Sequence, residues 1–265
     1  MDHAFAERYG PWALVTGASS GIGRAFAGLL AAKGLNLLLV ARRRERLQEL
    51  ASDLTRQHGV QALPIPADLS QPESLRQMTE ACRGRDVGLL VSNAGFGLKG
   101  RHEDNDPQRM DQMLMVNCRA PMQLTHAFIP QLRARGRGGI ILTSSVEALL
   151  GFPYSGAYAA TKAFINSLAE SLWGELQAAG TDVLALCPGS TDTEALDLQG
   201  IDRSTLQDMM SPREVAAEAL AALPDGPLHI AGDSNRQTFN GIAAMPRRDA
   251  LLLMGDTMKQ ALLGQ

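Results

Sequence analysis

The chain has 265 residues, 45% of them hydrophobic and 20% charged, with a formal net charge of −3 at pH 7. That is enough for one large α/β domain with a buried core and too little for two, and the interspersed signs argue against a general nucleic-acid or anionic-membrane binder. No apolar stretch reaches the roughly 18 residues of a membrane span, the charged first eight residues do not read as a signal peptide, and Cys82, Cys118 and Cys187 are too scattered for a zinc pattern or a disulfide framework, so a cytoplasmic protein is expected.

Apolar runs of strand length recur in chain order at Trp12–Val15, Asn36–Val40, Ala62–Ile65, Gly88–Val91, Gly139–Leu142, Asp182–Leu186 and Leu228–Ile230. Helical signals, or a loop leading to them, follow each of the first six. Strands that are apolar throughout and alternate with helices predict a parallel sheet covered on both faces. The expectation is one doubly wound α/β domain over residues 1–265, a Rossmann fold with about seven strands. Helix starts are expected at Ser70-Gln71-Pro72-Glu73, a capping box with Ser70 as N-cap, at Asp106-Pro107, and at Ser211-Pro212-Arg213-Glu214. Gly34 and Gly180 stand where helices end. The stretch 190–210 is the least patterned, and the tail 232–265 gives only a helix after Arg248.

The first strand runs into Thr16-Gly17-Ala18-Ser19-Ser20-Gly21-Ile22-Gly23 and then a helix. Glycines there let the backbone turn sharply and approach a pyrophosphate, with the helix N–H groups aimed at it, although such turns also simply join strand to helix. After the second strand comes Arg42-Arg43-Arg44, with no acidic residue to accept from ribose hydroxyls. A guanidinium fork suits a 2′-phosphate, so NADP(H) is expected over NAD(H), with Arg42 the best-placed donor and Arg43 the second. A solvated helix start is the plainer alternative for this charged run.

Tyr158-Ala159-Ala160-Thr161-Lys162 sets a tyrosine and a lysine one helical turn apart on one face. A phenol titrates near 10, too high for acid–base work at neutral pH, and a neighbouring ammonium lowers it. An ordinary surface pair has the same spacing. The histidines show no metal-ligand spacing, and Cys187 has no histidine placed to activate it.

The glycine spacing in 17–23 and the later motifs, in the same order over about residues 10–230, resemble the classical branch of the short-chain dehydrogenase/reductase family. The resemblance implies that Ser145, thirteen positions before Tyr158, bonds the substrate oxygen. It implies that Lys162 also bonds the nicotinamide ribose, and that Asn117 holds a water linking the lysine to solvent. Asp68, beside Leu69, would contact adenine, though a helix-cap contact explains it as well. Ser92-Asn93-Ala94-Gly95 looks like the family's Asn-Asn-Ala-Gly; Asn93, Ala94 and Gly95 would support the strand and let the dinucleotide approach, while Ser92 is a departure. Pro188, Gly189, Thr191 and Thr193 resemble the family's last cofactor segment. The resemblance thus implies hydride transfer between NADP(H) and a small-molecule carbonyl or alcohol. The opening Tyr9-Gly10-Pro11-Trp12 is similar to the branch holding 3-oxoacyl-CoA and steroid reductases.

The competing reading is a non-catalytic NADP(H)-sensing or scaffold protein on the same fold, against which the acid–base pair argues. An extended-branch epimerase or dehydratase would be longer. The helices near 107–134 and 155–179 carry Met110, Met113, Leu114, Phe164, Leu168, Leu172 and Trp173; their inner faces must cover the sheet, and the resemblance implies that their outer faces pair subunits, so a homodimer or homotetramer is expected. The segment 193–210, rich in leucine and methionine, is expected to cover an apolar substrate, with Phe96, Leu149, Phe152 and Tyr154 opposite. Its acidic residues Asp192, Glu194, Asp197 and Asp202 would disfavour an anionic substrate tail.

Overall fold

The structure, a computed structural model, describes residues 3–201, 203–206 and 208–263. A short helix, α1 (His3–Tyr9), leads into β1 (Trp12–Thr16), α2 (Gly21–Ala32), β2 (Asn36–Ala41), α3 (Arg44–His58) and β3 (Ala62–Pro66). The second half runs α4 (Glu73–Cys82), β4 (Val87–Ser92), α5 (Pro107–Leu114), a wide π turn (Met115–Arg119), α6 (Ala120–Arg135), β5 (Gly138–Thr143), α7 (Gly156–Leu176) and β6 (Thr181–Cys187). It closes with α8 (Glu194–Leu198), α9 (Pro212–Ala222), β7 (Leu228–Ile230), α10 (Asp233–Ala244) and α11 (Arg247–Leu263).

The seven strands fall on the seven apolar runs and form one sheet in the order β3-β2-β1-β4-β5-β6-β7, every neighbouring pair parallel. Side chains alternate between its faces, as period-2 geometry demands. Ala13 and Val15 of β1, Leu37 and Leu39 of β2 and Leu89 and Val91 of β4 join Phe26, Leu30, Leu47 and Leu220 on one side. Leu14, Leu38 and Leu90 join Met78, Leu124, Phe128, Ile165 and Ala169 on the other. Helices α2, α3 and α9 therefore cover one face, and α4, α6 and α7 the other. The chain builds outward from β1 to β3, then crosses to β4, so the crevice between the carboxyl ends of β1 and β4 is the switch point where such sheets take ligands.

Two of the three expected caps form. Asp106 accepts from the Gln108 N–H, and Ser211 and Glu214 make a reciprocal capping box. The third does not. Ser70 gives its N–H and hydroxyl to Asp68, and α4 starts only at Glu73, after Pro72 has already taken helical angles. Asp68, an acceptor with two oxygens, outcompetes the serine for that turn. The tail resolves into α10 and α11; α11 buries Ala250 and Met254 and exposes Leu252 and Leu253. Among the described residues no helix is long and apolar enough to cross a membrane.

Tyr9 closes the amino-terminal end of the sheet. Its ring is 2% exposed, and its hydroxyl donates to Asp182 at 2.5 Å, a carboxylate that Arg8 also holds through two bonds of 2.7 Å. Tyr9→Phe removes one of three donors to that carboxylate, for an expected loss of about 1 kcal/mol. Urea unfolding measures it; an unchanged midpoint would leave the hydroxyl without a part in stability.

Candidate active site

The turn after β1 is a backbone cradle. Gly17 has φ 69°, and a Cβ there would come within 2.9 Å of the Asn93 carboxamide. A Cβ on Gly23 would meet the Gly17 carbonyl oxygen at 2.3 Å, so only hydrogen fits where α2 packs against its own loop. The free N–H groups of the first turn of α2, at Gly21, Ile22 and Gly23, open from this cradle. Asn93 and Ala94 hold it from β4: both N–H groups donate to the Thr16 hydroxyl, at 2.9 and 3.0 Å. The Asn93 side chain bridges the Thr16 carbonyl and the Thr143 hydroxyl, joining β1, β4 and β5. Ser92 is buried at the end of β4, in register with Leu142.

At the end of β2 it is Arg43, not Arg42, that reaches the cradle. Its backbone is extended at the foot of α3, which turns the side chain back over the loop. The guanidinium donates to Ser20 at 2.7 Å and to Ser19 at 3.1 Å, and binds Glu194 of α8 at 2.7 Å. Arg46, one turn along α3, binds the other oxygen of the same carboxylate. Arg42 stands exposed beside them. Asp68 spends its carboxylate on Ser70, next to the buried Leu69.

Across the switch point, Ser145 follows β5 in extended backbone, and Tyr158 and Lys162 occupy the first turns of α7. The two serines diverge as strand alternation predicts. Ser144 donates to the Lys162 carbonyl at 3.0 Å, whereas Ser145 hydrogen-bonds Tyr158. Lys162 is buried, donates to the Thr143 carbonyl at 2.7 Å and lies 5.6 Å from the centre of the Tyr158 ring. Asn117 is buried in the π turn rather than exposed on a helix. Its carboxamide clasps both backbone groups of Phe96, at 2.9 and 3.1 Å, and donates to Thr161 at 3.0 Å. Gly95 lets the two halves meet: a Cβ there would lie 3.1 Å from the Asn117 oxygen and 3.2 Å from the Lys162 ammonium.

Sequence spacing did not reveal a second cation at the tyrosine. Lys99 lies 5.2 Å from the Tyr158 ring centre and pairs with Glu147 at 2.5 Å, the two side chains only 6% and 16% exposed. It also donates to Ser155 at 2.9 Å. Burial pushes the Tyr158 phenol above its usual value, the Glu147 charge adds to that, and the bond from Ser145 opposes it. Burial brings Lys162 down to about 8. In the chain alone, desolvation therefore outweighs the expected pull of the ammonium, because Lys162 is held against a strand carbonyl. The phenol stays protonated at neutral pH, the form needed to donate a proton. Cys187 is pushed up to about 11 by burial and remains a packed thiol.

The loop after β6 returns to the same crevice. The Pro188 carbonyl accepts from Val146, and Thr191 bonds the Gly189 carbonyl. Thr193 caps α8 and rests on Gly21, where a Cβ would be 3.0 Å from its methyl group. The segment beyond it is pinned at both ends by a short parallel bridge between Thr191 and Met210. The Gln199 carboxamide and the Tyr158 ring both lie about a Cβ contact from Gly97, at 3.4 and 3.3 Å. Among the described residues, Asp192 and Asp197 share Arg203, and Glu194 is held by Arg43 and Arg46, so part of the segment's acidic charge is offset. Asp202 lies outside the described residues. Of the expected opposite wall, Phe152 and Tyr154 flank the catalytic loop, whereas Leu149 packs with Val146, Cys187 and Ile230. Tyr154 also lines an open groove of about 420 Å³ with Arg101, Pro153, Leu251 and Lys259, so α11, which the sequence left without a role, lies beside the loop that carries Tyr154.

A glycine cradle at the switch point and a serine, tyrosine and lysine converging beside it define a dinucleotide-dependent oxidoreductase. The short chain dehydrogenase family model matches residues 11–202, and the chain belongs to that family. It is similar to a 7beta-hydroxysteroid dehydrogenase from Clostridium sardiniense, with 32% identity over 252 residues, 95% of this chain and 97% of that one. A solved structure of a 7beta-hydroxysteroid dehydrogenase superposes with a TM-score of 0.88 at 30% identity, covering 95% of this chain and 99% of the other. A short-chain dehydrogenase from Sphingobium yanoikuyae in complex with NADPH gives 0.78 at 31% identity, covering 92% and 95%. The protein is an oxidoreductase acting on hydroxyl and carbonyl groups.

Proposed function

We propose that the chain transfers hydride between NADP(H) and a carbonyl or secondary alcohol on a bulky, largely apolar substrate of the hydroxysteroid kind. The observation that carries this is the convergence of Ser145, Tyr158 and Lys162 beside the glycine cradle, with an arginine at its adenosine end. Gly17, Ser19, Ser20, Gly21, Ile22 and Gly23 would hold the pyrophosphate, and Arg43 the 2′-phosphate. Asp68 and Leu69 would border the adenine. Asn93, Ala94, Gly95, Pro188, Gly189, Thr191 and Thr193 would line the path to the nicotinamide. The cradle suits a dinucleotide because glycines at 17 and 23 let the loop fold tightly against α2 and leave the N–H groups of its first turn open to a pyrophosphate. Bound NADP(H) supplies the hydride.

The chain's own part is position and protonation. Ser145 orients the substrate oxygen, and Tyr158 Oη, kept protonated by burial, donates to it. Lys162 holds the ribose with N–H groups not used on Thr143, and Asn117 continues the proton path from Lys162 to solvent. The segment 193–210 covers the substrate, since Gln199 already lies beside Tyr158. Arg203 offsets only part of the charge of Asp192 and Asp197, so the segment's acidity still disfavours an anionic substrate tail, and its apolar residues favour the steroid class. A homodimer or homotetramer is supported by Leu114, Met122 and Phe164, large apolar side chains exposed on α5, α6 and α7. A cytoplasmic location fits three free cysteines.

NADPH oxidation against 7-oxo steroids, other bulky ketones, 3-oxoacyl thioesters and ketoses tests the substrate class; preference for a sugar would overturn it. Arg43→Asp is expected to weaken NADPH binding by roughly 10- to 100-fold, the loss of a charge-assisted contact, and to improve NADH use. Arg42→Asp serves as the comparison. An effect confined to Arg42 would return the phosphate to that residue.

A further inference from the structure

Arg43 and Arg46 already share an internal anion. The Glu194 carboxylate gives one oxygen to each guanidinium, from an element 151 residues away in sequence. The same Arg43 fork reaches Ser19 and Ser20 of the cradle, so this carboxylate lies at the adenosine end of the dinucleotide site. A carboxylate and a phosphate use the same faces of a guanidinium. Resting on the NADP(H) reading above, we infer that Glu194 stands in for the cofactor's 2′-phosphate, and that the phosphate displaces it from Arg43 and Arg46 when NADP(H) binds. Glu194 thereby lowers the affinity for phosphorylated dinucleotides specifically.

The exchange reaches the substrate side. Glu194 is the first residue of α8, directly after Thr193, which rests on Gly21 of the cradle. Losing its two arginines releases one anchor of the segment 193–210, while the Arg203 pairs and the bridge between Thr191 and Met210 keep its base in place. Loading of the correct cofactor and movement of the substrate-covering segment are then one event.

The test is binding of 2′,5′-ADP, 5′-AMP, NADPH and NADH to wild type and Glu194→Gln by calorimetry, with no turnover required. Both proteins keep the same surface volume, and the pair is half exposed, so folding is undisturbed. The expected result is binding of 2′,5′-ADP and NADPH tightened about 3- to 10-fold in the variant, with 5′-AMP and NADH unchanged. Weaker NADPH binding would make Glu194 a clamp that closes over the cofactor and overturn the inference. Unchanged binding of all four ligands would reduce the pair to a surface contact and overturn it as well. A wild type that fails to prefer 2′,5′-ADP over 5′-AMP would instead overturn the NADP(H) reading, which keeps the two failures apart.

Discussion

Tyr158→Phe is expected to lower kcat by roughly 10²- to 10⁴-fold while leaving NADPH affinity unchanged. The substitution keeps the ring between the Lys99 and Lys162 ammonium groups, 5.2 and 5.6 Å from its centre, and removes only the hydroxyl that Ser145 bonds. The fold has no reason to respond, because the backbone of α7 and its bond from Thr161 to the Tyr158 carbonyl are untouched. Steady-state rates and a fluorescence titration with NADPH read the two quantities separately. A variant turning over near the wild-type rate would remove Tyr158 from proton transfer.

Lys162→Met is expected to lower kcat/KM by 10²-fold or more and, unlike the tyrosine variant, to weaken NADPH binding. It deletes a buried ammonium and with it the proposed charge-assisted bond to the ribose, for an expected effect of about 1.5–3 kcal/mol. The pH profile carries the same assignment. Burial depresses this lysine to about 8, so it is charged below that value and neutral above it. Cofactor affinity and reductive kcat/KM are therefore expected to fall as pH rises through about 8, while Tyr158, shifted upward, is still protonated there. Lys162→Arg keeps the charge at all working pH values and is expected to move that limb upward. A limb at the same pH in the arginine variant would assign it to another group.

The fold was legible because its signals are local. Each strand is a short apolar run, buried throughout in β1, β4 and β5 and more open in the edge strands β3 and β7, and the parallel pairing follows from helices alternating with strands. The pairing of Tyr158 with Lys162 was legible for the same reason, since four residues along a helix is a fixed distance. The misplaced cap at Ser70 shows the limit of such rules: the sequence offers Asp68 and Ser70 to one turn, and geometry alone chooses the aspartate. The burial of Asn117 was not legible from the residues around it, because nothing in Met115–Arg119 announces a wide turn that carries it inward.

The electrostatic partners were hidden for a different reason. Lys99 meets Glu147 across 48 positions and Arg43 meets Glu194 across 151, and neither pair leaves a periodic trace. Arg203 had no assigned role, yet it pairs with both Asp192 and Asp197 and offsets part of the charge that had seemed to repel anions. Long flexible side chains choose partners only after the sheet has brought loops together, so a count of charges along the segment misstates its field. The place of α11 beside the loop around Tyr154 was not legible either, because it depends on where β7 and α10 leave the chain.

The central claim is that Tyr158, Ser145 and Lys162 serve hydride transfer to a bulky apolar ketone, not cofactor sensing. Single-turnover mixing of the NADPH-loaded protein with a 7-oxo steroid, followed at the nicotinamide absorbance, tests it most directly. Stoichiometric loss of NADPH with formation of the corresponding alcohol is expected in the wild type and neither in Tyr158→Phe. Tight NADPH binding with no oxidation by this or any other ketone would contradict it and leave the sensing protein as the better description.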